Sequence, residues 1–419
     1  MKYKLIRGFH DILPGQIERW HFIENSAIEV FRSYGFNELR LPILELTDIY
    51  CTGIGDTTDI VAKEMYTFDD RDGSSLSLRP EGTAGVVRSF IENSFYKKSP
   101  ISKFYYMGPM FRHERPQKGR YRGFNQIGCE YFGSANAGAD AEIILMLWYF
   151  FQKIGFSDSV KIEINSIGDE ESRNNFKSAL IKYLTPLQEG LCEQCKIKLG
   201  TNPLRILDCK NEGCKDIISD APKITDYLSE SSDTHFKMLI KILEELSVPF
   251  ILNDKIVRGL DYYTETVFEF TTDKLGSQNA VAAGGRYNNL VEKMGGPSTP
   301  ATGFALGLER IILLHEQISD EEFMFPTDIF IAWIGDNTFI PAMKIATELR
   351  SRGKSVYIEH DSKSIKSQLK RANKFGAGYT VIVGEEELKN GKITVRNMKE
   401  SSEQSIDIGD TEDLYNHFT

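Results

Sequence analysis

The stretch KFYYMGPMFRHERPQKGRYRGFNQIGCEYFG, residues 103–133, decides the fold of the first part of this chain. Two aromatic-rich segments within it, 104–111 and 124–132, have the composition of β-strands and flank a polar loop. Side chains alternate between the two faces of a strand, so Gln126 and Glu130 share one face. The other face carries the apolar set Ile127, Cys129 and Tyr131. We expect that set to pack on a core, which directs an amide and a carboxylate into a site.

The loop between these two strands is basic. Its net charge is +4, because it has five cationic residues and one acidic residue, Glu114. The cationic residues are Arg112, Arg115, Lys118, Arg120 and Arg122. A solvated hairpin tip explains such a run of charge, and the residues alone leave that interpretation open. The alternative is an anion site, because a guanidinium group is always charged, planar and able to bind phosphate through two parallel hydrogen bonds.

Composition limits the class of protein. The chain has 419 residues, which indicates two to four domains at roughly 150 residues each. It is 41% hydrophobic and 26% charged, with a mean hydropathy of −0.31, as in ordinary globular proteins. The formal net charge of −10 argues against a uniformly basic protein that binds DNA, but it does not exclude local basic patches.

A membrane partner is not expected. The densest apolar run, Ala141–Phe151, has 11 residues and contains Glu142, whereas a membrane span needs about 20. The first residues, MKYKLIRGFHD, have no apolar segment typical of a signal peptide, which predicts a cytoplasmic location.

Cysteine usage points to a reducing compartment. Six cysteines are too few for a disulfide framework in a chain of this length. Four of them approximate a zinc-ribbon spacing, with intervals of two, thirteen and four residues: Cys192, Cys195, Cys209 and Cys214. A spacing of four in the second pair is atypical, so we assign no dedicated metal site and keep structural zinc as the alternative to reduced thiols.

Periodicity divides the chain into four parts. Helices are predicted at 15–34, 139–154 and 308–317, and strands at 262–270, 280–283 and 301–306. A polar stretch around 319–326 is a predicted linker, and the alternating strands and helices after it, from 328 to 384, imply a small, largely parallel α/β domain. The predicted domains are an α+β catalytic domain (1–167 and 251–320), a mostly helical insertion (168–250) and a C-terminal α/β domain (326–419).

Arg310 has a physical argument of its own. The buried face of the helix at 308–317 follows helical spacing through Leu308, Ile311, Ile312 and His315. Arg310 lies off that face in the first turn, where a cation opposes the helix dipole by about 0.3–1 kcal/mol. A bound anion would explain its presence, and a surface arginine in a mildly unfavourable position is the alternative.

Several motifs together resemble the class II aminoacyl-tRNA synthetases. FRHE in the basic loop is similar to the arginine hairpin of motif 2, GFNELRLPILE (35–45) to motif 1 and GFALGLERI (303–311) to motif 3. RGLDYYTETVFEF (258–270), AAGGRYNNL (282–290) and LRPEGTAG (78–85) resemble blocks of the histidyl-tRNA synthetase family. The resemblance spans essentially the whole chain.

This resemblance implies a catalytic domain built on an antiparallel sheet and a C-terminal anticodon-binding domain. The implied enzyme is a histidine–tRNA ligase that uses ATP with Mg²⁺, activates L-histidine and charges tRNA(His) as a homodimer. The attacking carboxylate is already an anion, so positioning and electrostatic stabilisation are the main requirements.

The resemblance also implies roles for individual residues. The catalytic arginines are Arg112, Arg258 and Arg310, and ATP is bound by Arg112, Glu114 and Arg310. Histidine is bound by Arg112 and Arg258 and by a set of pocket residues: Glu81, Gly82, Thr83, Gln126, Glu130, Tyr262 and Tyr263. Within that set, Glu130 and Tyr263 hold the ring, and Glu81, Thr83 and Gln126 the α-amino group. A site that hydrogen-bonds its substrate can reject an apolar analogue by about 10⁴–10⁵.

Two basic regions are expected to meet RNA. By the resemblance, the loop at 112–122 contacts the acceptor stem, and Arg115 and Gln117 read the extra 5′ guanosine of tRNA(His). Residues 350–374 carry a net charge of +6, and the helix at 364–375 contains no acid of its own, so phosphate contact is expected there.

Two other functions stay open. One is a non-catalytic, synthetase-like regulatory subunit of ATP phosphoribosyltransferase, although such proteins usually lack the block at 258–270 and the C-terminal domain. The other is a different class IIa synthetase, such as the prolyl or threonyl enzyme, which the same block disfavours.

Overall fold

The structure is a computed structural model. It describes residues 3–55, 58–207, 209, 211–256, 262–276, 279–319, 323, 328–361, 363–409, 411–416 and 418. The chain forms two compact units, Met1–Glu321 and Glu322–Thr419. Among the described residues, none of the helices has the length and the apolar character that crossing a membrane requires.

The first unit contains eleven described strands. They are β1 Asn37–Glu38, β2 Leu44–Leu46, β3 Thr67–Asp69, β4 Ser75–Leu78, β5 Ser102–Phe111, β6 Gly123–Phe132, β7 Lys161–Ser166, β8 Ile251–Leu252, β9 Thr264–Thr271, β10 Ala280–Arg286 and β11 Ala301–Gly307. Eight of them form one sheet in the order β1-β5-β6-β11-β10-β9-β7-β8, in which the pairs from β5 to β7 are antiparallel and the two outer pairs are parallel. Strands β2, β4 and β3 form a separate small sheet. The predicted antiparallel catalytic sheet is therefore confirmed.

Eleven described α-helices accompany these strands. They are α1 Ile17–Ser33, α2 Thr47–Ile54, α3 Thr83–Glu92, α4 Phe95–Lys98, α5 Ala137–Lys153, α6 Glu170–Leu184, α7 Glu193–Thr201, α8 Glu212–Ser219, α9 Glu230–Glu245, α10 Leu290–Lys293 and α11 Leu308–Ile318. Short 3₁₀ turns lie at Thr185–Gly190, Pro203–Ile206, Ile224–Tyr227 and Asp273–Leu275, and a π-helical turn at Ile60–Glu64.

The main core lies on one face of the large sheet. The apolar faces of α1, α5, α9 and α11 pack there against strand side chains that include Ile127 and Cys129. Because these two residues are fully buried in that core, alternation along β6 turns Gln126 and Glu130 to the opposite face. The face predicted for each of these side chains is confirmed.

The segment predicted as an insertion has two kinds of packing. A small core of its own joins α6, α7 and α8 through residues such as Phe176 and Leu180. In contrast, Phe236, Leu239 and Leu243 of α9 belong to the main core. The predicted boundaries at 168 and 250 stay predictions.

A buried ion pair ties the main sheet to α5. Arg286 and Asp140 are both fully buried, with Nη2 and Oδ1 2.9 Å apart and Nε donating to Oδ2 at 3.0 Å. His235 of α9 lies 2.7 Å from the same Oδ2. Burial alone would raise the pKa of Asp140, but these partners bring it below its ordinary value. The sequence analysis assigned no contact to Arg286 of the GGRY block, and the structure places it in this buried ion pair.

The second unit is an α/β domain. It contains β12 Ile329–Ile334, β13 Val356–Ile358, β14 Tyr379–Gly384, β15 Lys392–Asn397 and β16 Glu403–Asp407, with helices α12 Phe339–Ser351, α13 Ile365–Lys374, α14 Glu385–Lys389 and α15 Thr411–Asn416. The sheet order is β13-β12-β14-β15-β16. The predicted parallel part, β13, β12 and β14, is confirmed, and an antiparallel hairpin of β15 and β16, which the sequence analysis did not predict, extends it.

Candidate active site

A cavity of about 530 Å³ lies on the sheet face that carries Gln126 and Glu130. It brings together residues that are up to 251 positions apart in the chain, from Asp59 to Arg310. Its lining includes most of the predicted substrate-binding residues: Glu81, Thr83, Arg112, Glu114, Gln126, Glu130, Tyr262, Tyr263 and Arg310. Arg258 lies outside the described residues.

Glu130 is the buried carboxylate of the cavity, with 1% of its surface exposed. It accepts a hydrogen bond from the Thr83 hydroxyl at 2.7 Å and a short one from the Tyr287 hydroxyl. Burial raises the pKa of Glu130 to about 8, although both hydroxyls act to lower it. Burial thus disfavours the charged form of Glu130, and a ligand that donates to it or brings a positive charge would favour that form.

The opposite strand makes room for this carboxylate. Gly303 of β11 pairs with Glu130 in the sheet, and a Cβ atom at Gly303 would lie 2.0 Å from Glu130 Oε2. Any side chain there would displace the carboxylate. Neither Gly303 nor Tyr287 was among the predicted site residues, although both lie within the quoted motif blocks.

Glu81 and Thr83 lie at the N-terminal end of α3. The Glu81 carboxylate accepts the backbone N–H of Thr83 at 2.6 Å and of Ala84 at 2.9 Å, which satisfies donors that the helix start leaves open. Burial raises the pKa of Glu81 despite these hydrogen bonds. Gly82 has no room for a side chain, because a Cβ there would lie 2.2 Å from the Tyr106 ring.

The remaining pocket residues supply an amide and two aromatic rings. The Gln126 side-chain oxygen is buried and has no hydrogen-bond partner among the described residues. The rings of Tyr262 and Tyr263 are buried, with centroids 4.7 Å apart. Burial and the neighbouring tyrosine raise the pKa of Tyr262 well above its ordinary value, so its hydroxyl stays a donor. A small ligand with one ammonium and one polar ring fits this set.

Two arginines that line the cavity are held by backbone carbonyls. Arg112 donates from Nε to Pro80 O at 2.8 Å, with its guanidinium carbon 5.3 Å from the Phe124 ring centre. Arg310 donates to Gly119 O at 3.0 Å and to Ala280 O at 2.7 Å. These hydrogen bonds fix the position of both guanidinium groups.

The two arginines also repel each other. Burial lowers the pKa of Arg310 first, and the charges of Arg120 and Arg112 lower it further. Burial likewise lowers the pKa of Arg112, and Arg120 adds to that effect. Like charges gathered in a cavity are stabilised by a polyanion between them, so the arrangement suits a phosphate chain. The bound-anion interpretation of Arg310 therefore gains support over a surface arginine.

The basic loop is only partly exposed. Arg112 and Arg120 line the cavity, where Arg120 forms an ion pair with buried Glu114. Arg122 donates to the backbone oxygen of Glu114 at 3.1 Å. Arg115 and Gln117 are exposed and do not line the cavity. Part of the positive charge of the hairpin therefore lies at the cavity, because the buried carboxylate of Glu114 attracts it.

Glu309 is a cavity carboxylate that the sequence analysis missed. It accepts the Asn125 backbone N–H at 2.8 Å and the Asn125 side-chain amide at 3.1 Å. Burial raises the pKa of Glu309 to about 7. Its position in the first turn of α11, next to Arg310, was the signal available in the sequence.

Two cations from the predicted insertion also line the cavity. They are Lys198 of α7 and Arg205 of the 3₁₀ turn Pro203–Ile206, and the Lys198 ammonium lies 3.5 Å from Arg205 O. No pattern in the sequence connects this segment to the site.

Gly284 and Gly285 are not in a tight turn and are not among the residues that line the cavity. They lie inside β10, where a Cβ at Gly284 would be 2.2 Å from Gly303 O and one at Gly285 2.4 Å from Thr266 O. The two glycines let β9 and β11 pack closely on each side.

In the second unit, ion pairs neutralise more of the basic region at 350–374 than its sequence indicates. Glu359 lies 2.6 Å from Arg371 and 3.7 Å from Lys363, so an acid from outside α13 does pair with this helix. Three exposed lysines at helical spacing have no ion pair with any described residue: Lys366, Lys370 and Lys374. The surface that we expect to contact phosphate is therefore smaller than residues 350–374, and it consists of these three lysines, which we call the α13 stripe.

The comparisons agree with this geometry. A profile of histidyl-tRNA synthetases matches residues 8–168 and 201–311, and a profile of anticodon-binding domains matches 328–415. A histidine–tRNA ligase of Trichlorobacter lovleyi is 48% identical over 96% of this chain and 95% of its own, and one of Geobacter sulfurreducens is 47% identical over 94% of both. The apo crystal structure of S. aureus histidyl-tRNA synthetase is similar, with a TM-score of 0.82, 36% identity and 99% of each chain covered. This chain belongs to the histidyl-tRNA synthetase family.

Proposed function

We propose that this chain activates L-histidine with ATP and then transfers it to the 3′ end of tRNA(His). The observation that carries the proposal is one cavity that gathers two chemically different kinds of group. They are the buried carboxylate Glu130 among hydroxyl donors, and the two arginines Arg112 and Arg310, which backbone carbonyls hold in place.

Adenylate formation needs an anion held in line with the α-phosphate. A carboxylate oxygen of histidine attacks the α-phosphorus of ATP, the bond to the bridging oxygen breaks, and pyrophosphate leaves with that electron pair. Arg112 binds the α-phosphate and the substrate carboxylate, and Arg310 the γ-phosphate end. Arg258 faces the α-phosphate from the other side. Fixed guanidinium groups stabilise the charge without reorganising during the reaction.

Selection of histidine follows from hydrogen bonding in the pocket. Glu130 accepts from the imidazole, and the Tyr263 hydroxyl contacts the other ring nitrogen. Glu81, Thr83 and Gln126 receive the α-ammonium group, and the buried Gln126 oxygen supplies an acceptor that has no described partner in the protein. An amino acid without the ring nitrogens would leave the buried Glu130 without this donor, which costs more than a missing contact in water.

Mg²⁺ is proposed to accompany the nucleotide. No three carboxylates or histidines converge on one point in the described residues, which fits a Mg²⁺ held mainly by phosphate oxygens and water. Glu309 is the protein carboxylate that suits it, because a bound cation would favour the charged form that burial disfavours. The ion would supply charge neutralisation of the triphosphate.

Transfer requires a second partner at two places. We assign Arg115 and Gln117, exposed on the hairpin, to the 5′ guanosine of the acceptor stem, and the lysine stripe of α13 to anticodon-loop phosphates. A hydroxyl of the terminal ribose then attacks the adenylate carbonyl, and AMP leaves. The homodimer and the cytoplasmic location stay predictions.

The regulatory-subunit alternative is less consistent with this chain. An anticodon-binding domain matches over 328–415, and the cavity keeps both arginines and Glu130. A regulator of another enzyme needs neither feature.

Amino-acid-dependent exchange between ATP and labelled pyrophosphate, measured with all twenty amino acids, tests the proposal. We expect exchange with histidine only. Exchange with another amino acid would keep the class and overturn the substrate, and no exchange with any would favour the regulatory alternative.

A further inference from the structure

The four cysteines of the predicted insertion converge on one point. Their Sγ atoms all lie within 4.8 Å of one another, although the residues span 23 positions. Cys192 Sγ and Cys209 Sγ are 3.9 Å apart. Four ligands at a Zn–S distance of about 2.3 Å in a tetrahedron have sulfur–sulfur separations of about 3.8 Å. The cluster is therefore close to the size that one ion requires.

The surrounding backbone has features of a thiolate site. Cys192 precedes α7, and its backbone N–H donates to Cys214 Sγ at 3.2 Å. Cys214 lies in the first turn of α8, which Asn211 caps. A donor aimed at sulfur stabilises a thiolate more than a thiol, since the negative charge strengthens the hydrogen bond.

No disulfide joins these four cysteines in the structure, and the 3.9 Å separation of Cys192 Sγ and Cys209 Sγ is far beyond the S–S bond length of about 2.05 Å. Cys195 and Cys214 are fully buried, while Cys192 and Cys209 are half-buried. Four thiolates would fill the tetrahedral coordination of one ion and leave no open position on it.

The apolar core beside the cysteines is small, and a metal ion bound by them would stabilise it. The apolar cluster around α6, α7 and α8 contains ten buried residues, two of which are Cys195 and Cys214 themselves. Small cores of this kind commonly need a metal or a disulfide to be stable. The segment between the cysteines also carries Lys198 and Arg205 to the cavity.

We propose that Cys192, Cys195, Cys209 and Cys214 bind one structural Zn²⁺ as thiolates and so fix the segment that places Lys198 and Arg205 at the active-site cavity. A single ion fits better than an iron–sulfur cluster, because a cluster inserts several atoms between its ligands and needs thiolates farther apart. Four sulfur ligands in a tetrahedron are typical of closed, structural zinc. The site is independent of the proposed catalytic chemistry.

The test is the metal content of the full-length chain purified without chelators. We expect about one zinc and no stoichiometric iron per chain by mass spectrometry of the metals. X-ray absorption at the zinc edge should show four sulfur neighbours at about 2.3 Å. Replacement by Co²⁺ should give the intense visible bands of a tetrahedral thiolate site.

Variants locate the ion. Cys195→Ser and Cys214→Ser should lose the zinc, whereas the matched control Cys51→Ser, at a half-buried cysteine outside the cluster, should keep it. If either cluster variant fails to fold, a mercurial reagent added to the wild-type chain still gives the answer, because zinc should leave as the cluster thiols react. A wild-type chain that holds no zinc and takes up none after reduction would overturn the proposal. Zinc bound through nitrogen or oxygen, an iron–sulfur spectrum, or zinc retained by both cluster variants would also overturn it.

Discussion

Replacing Glu130 by glutamine probes histidine recognition at its buried centre. The substitution keeps the size of the side chain but turns one acceptor oxygen into an NH₂ donor. Thr83 and Tyr287 both donate to this carboxylate, so one of them would face a donor and lose its hydrogen bond. The proposed bond from the imidazole would lose its charged acceptor.

The size of the effect follows from these two losses. A hydrogen bond to a charged group contributes about 1.5–3 kcal/mol and a neutral one about 0.5–1.5 kcal/mol. Together they give about 2–4.5 kcal/mol, which corresponds to a fall of about 30- to 2,000-fold in kcat/KM for histidine. The KM for ATP should change little, because the nucleotide is assigned to Arg112 and Arg310.

Steady-state ATP–pyrophosphate exchange at varied histidine concentration measures this effect. Tyr287→Phe leaves the carboxylate in place and removes one neutral hydrogen bond, so we expect about a 2- to 13-fold loss. Glu245→Gln, at an exposed position on α9, is the matched control and should behave as wild type. If Glu130→Gln remained within about threefold of wild type, or if only the KM for ATP rose, the assignment of Glu130 to the imidazole would be refuted.

Four further predictions concern stability and the other sites. The pKa of Glu130 is about 8 in the folded chain and near 4.5 when unfolded, so the wild type should lose about 1.4 kcal/mol of unfolding free energy per pH unit relative to Glu130→Gln between about pH 5 and 8. Arg286→Met takes the arginine away from the buried Asp140 and leaves that carboxylate with His235, and we expect a loss of about 3–5 kcal/mol in denaturant unfolding. Arg258→Ala should abolish adenylate formation while calorimetry still detects histidine binding. The α13 stripe consists of Lys366, Lys370 and Lys374. Replacing all three by glutamine should reduce, by about 2, the slope of log K for tRNA binding against log salt concentration, and pyrophosphate exchange should stay unchanged.

Each of these four predictions has a result that would contradict it. A pH-independent difference between the two chains would mean that Glu130 is ionised in the fold. An Arg286→Met chain as stable as wild type would show that the buried pair is dispensable, and near wild-type exchange by Arg258→Ala would remove that residue from the mechanism. For the stripe, the control is the same change at three exposed lysines elsewhere in the domain: Lys389, Lys392 and Lys399. Equal effects of the two triple variants would refute a specific contact.

Local periodicity predicted the parts of the fold that each segment determines for itself. Alternation along 124–132 placed Gln126 and Glu130 opposite Ile127 and Cys129, and helical spacing identified the buried face of α11. These predictions succeeded because one buried face determines the pattern of the whole segment.

The contacts that depend on distant segments could not be predicted in the same way. Lys198 reaches the cavity from the predicted insertion, and Glu359 neutralises α13 from another element. Gly284 is required by the carbonyl of Gly303 on a neighbouring strand, which no local turn pattern reveals. The convergence of the four cysteines was also open, because their spacing departs from the common zinc pattern.

The most direct measurement of the central claim is the complete reaction. Purified chain is incubated with ATP, Mg²⁺, labelled histidine and an unmodified tRNA(His) transcript, and the label on the 3′ end is followed over time. Histidine should become attached through a base-labile ester, AMP should appear in equal amount, and a transcript without the extra 5′ guanosine should be charged poorly. A chain that binds this tRNA and histidine but attaches no label would contradict the account.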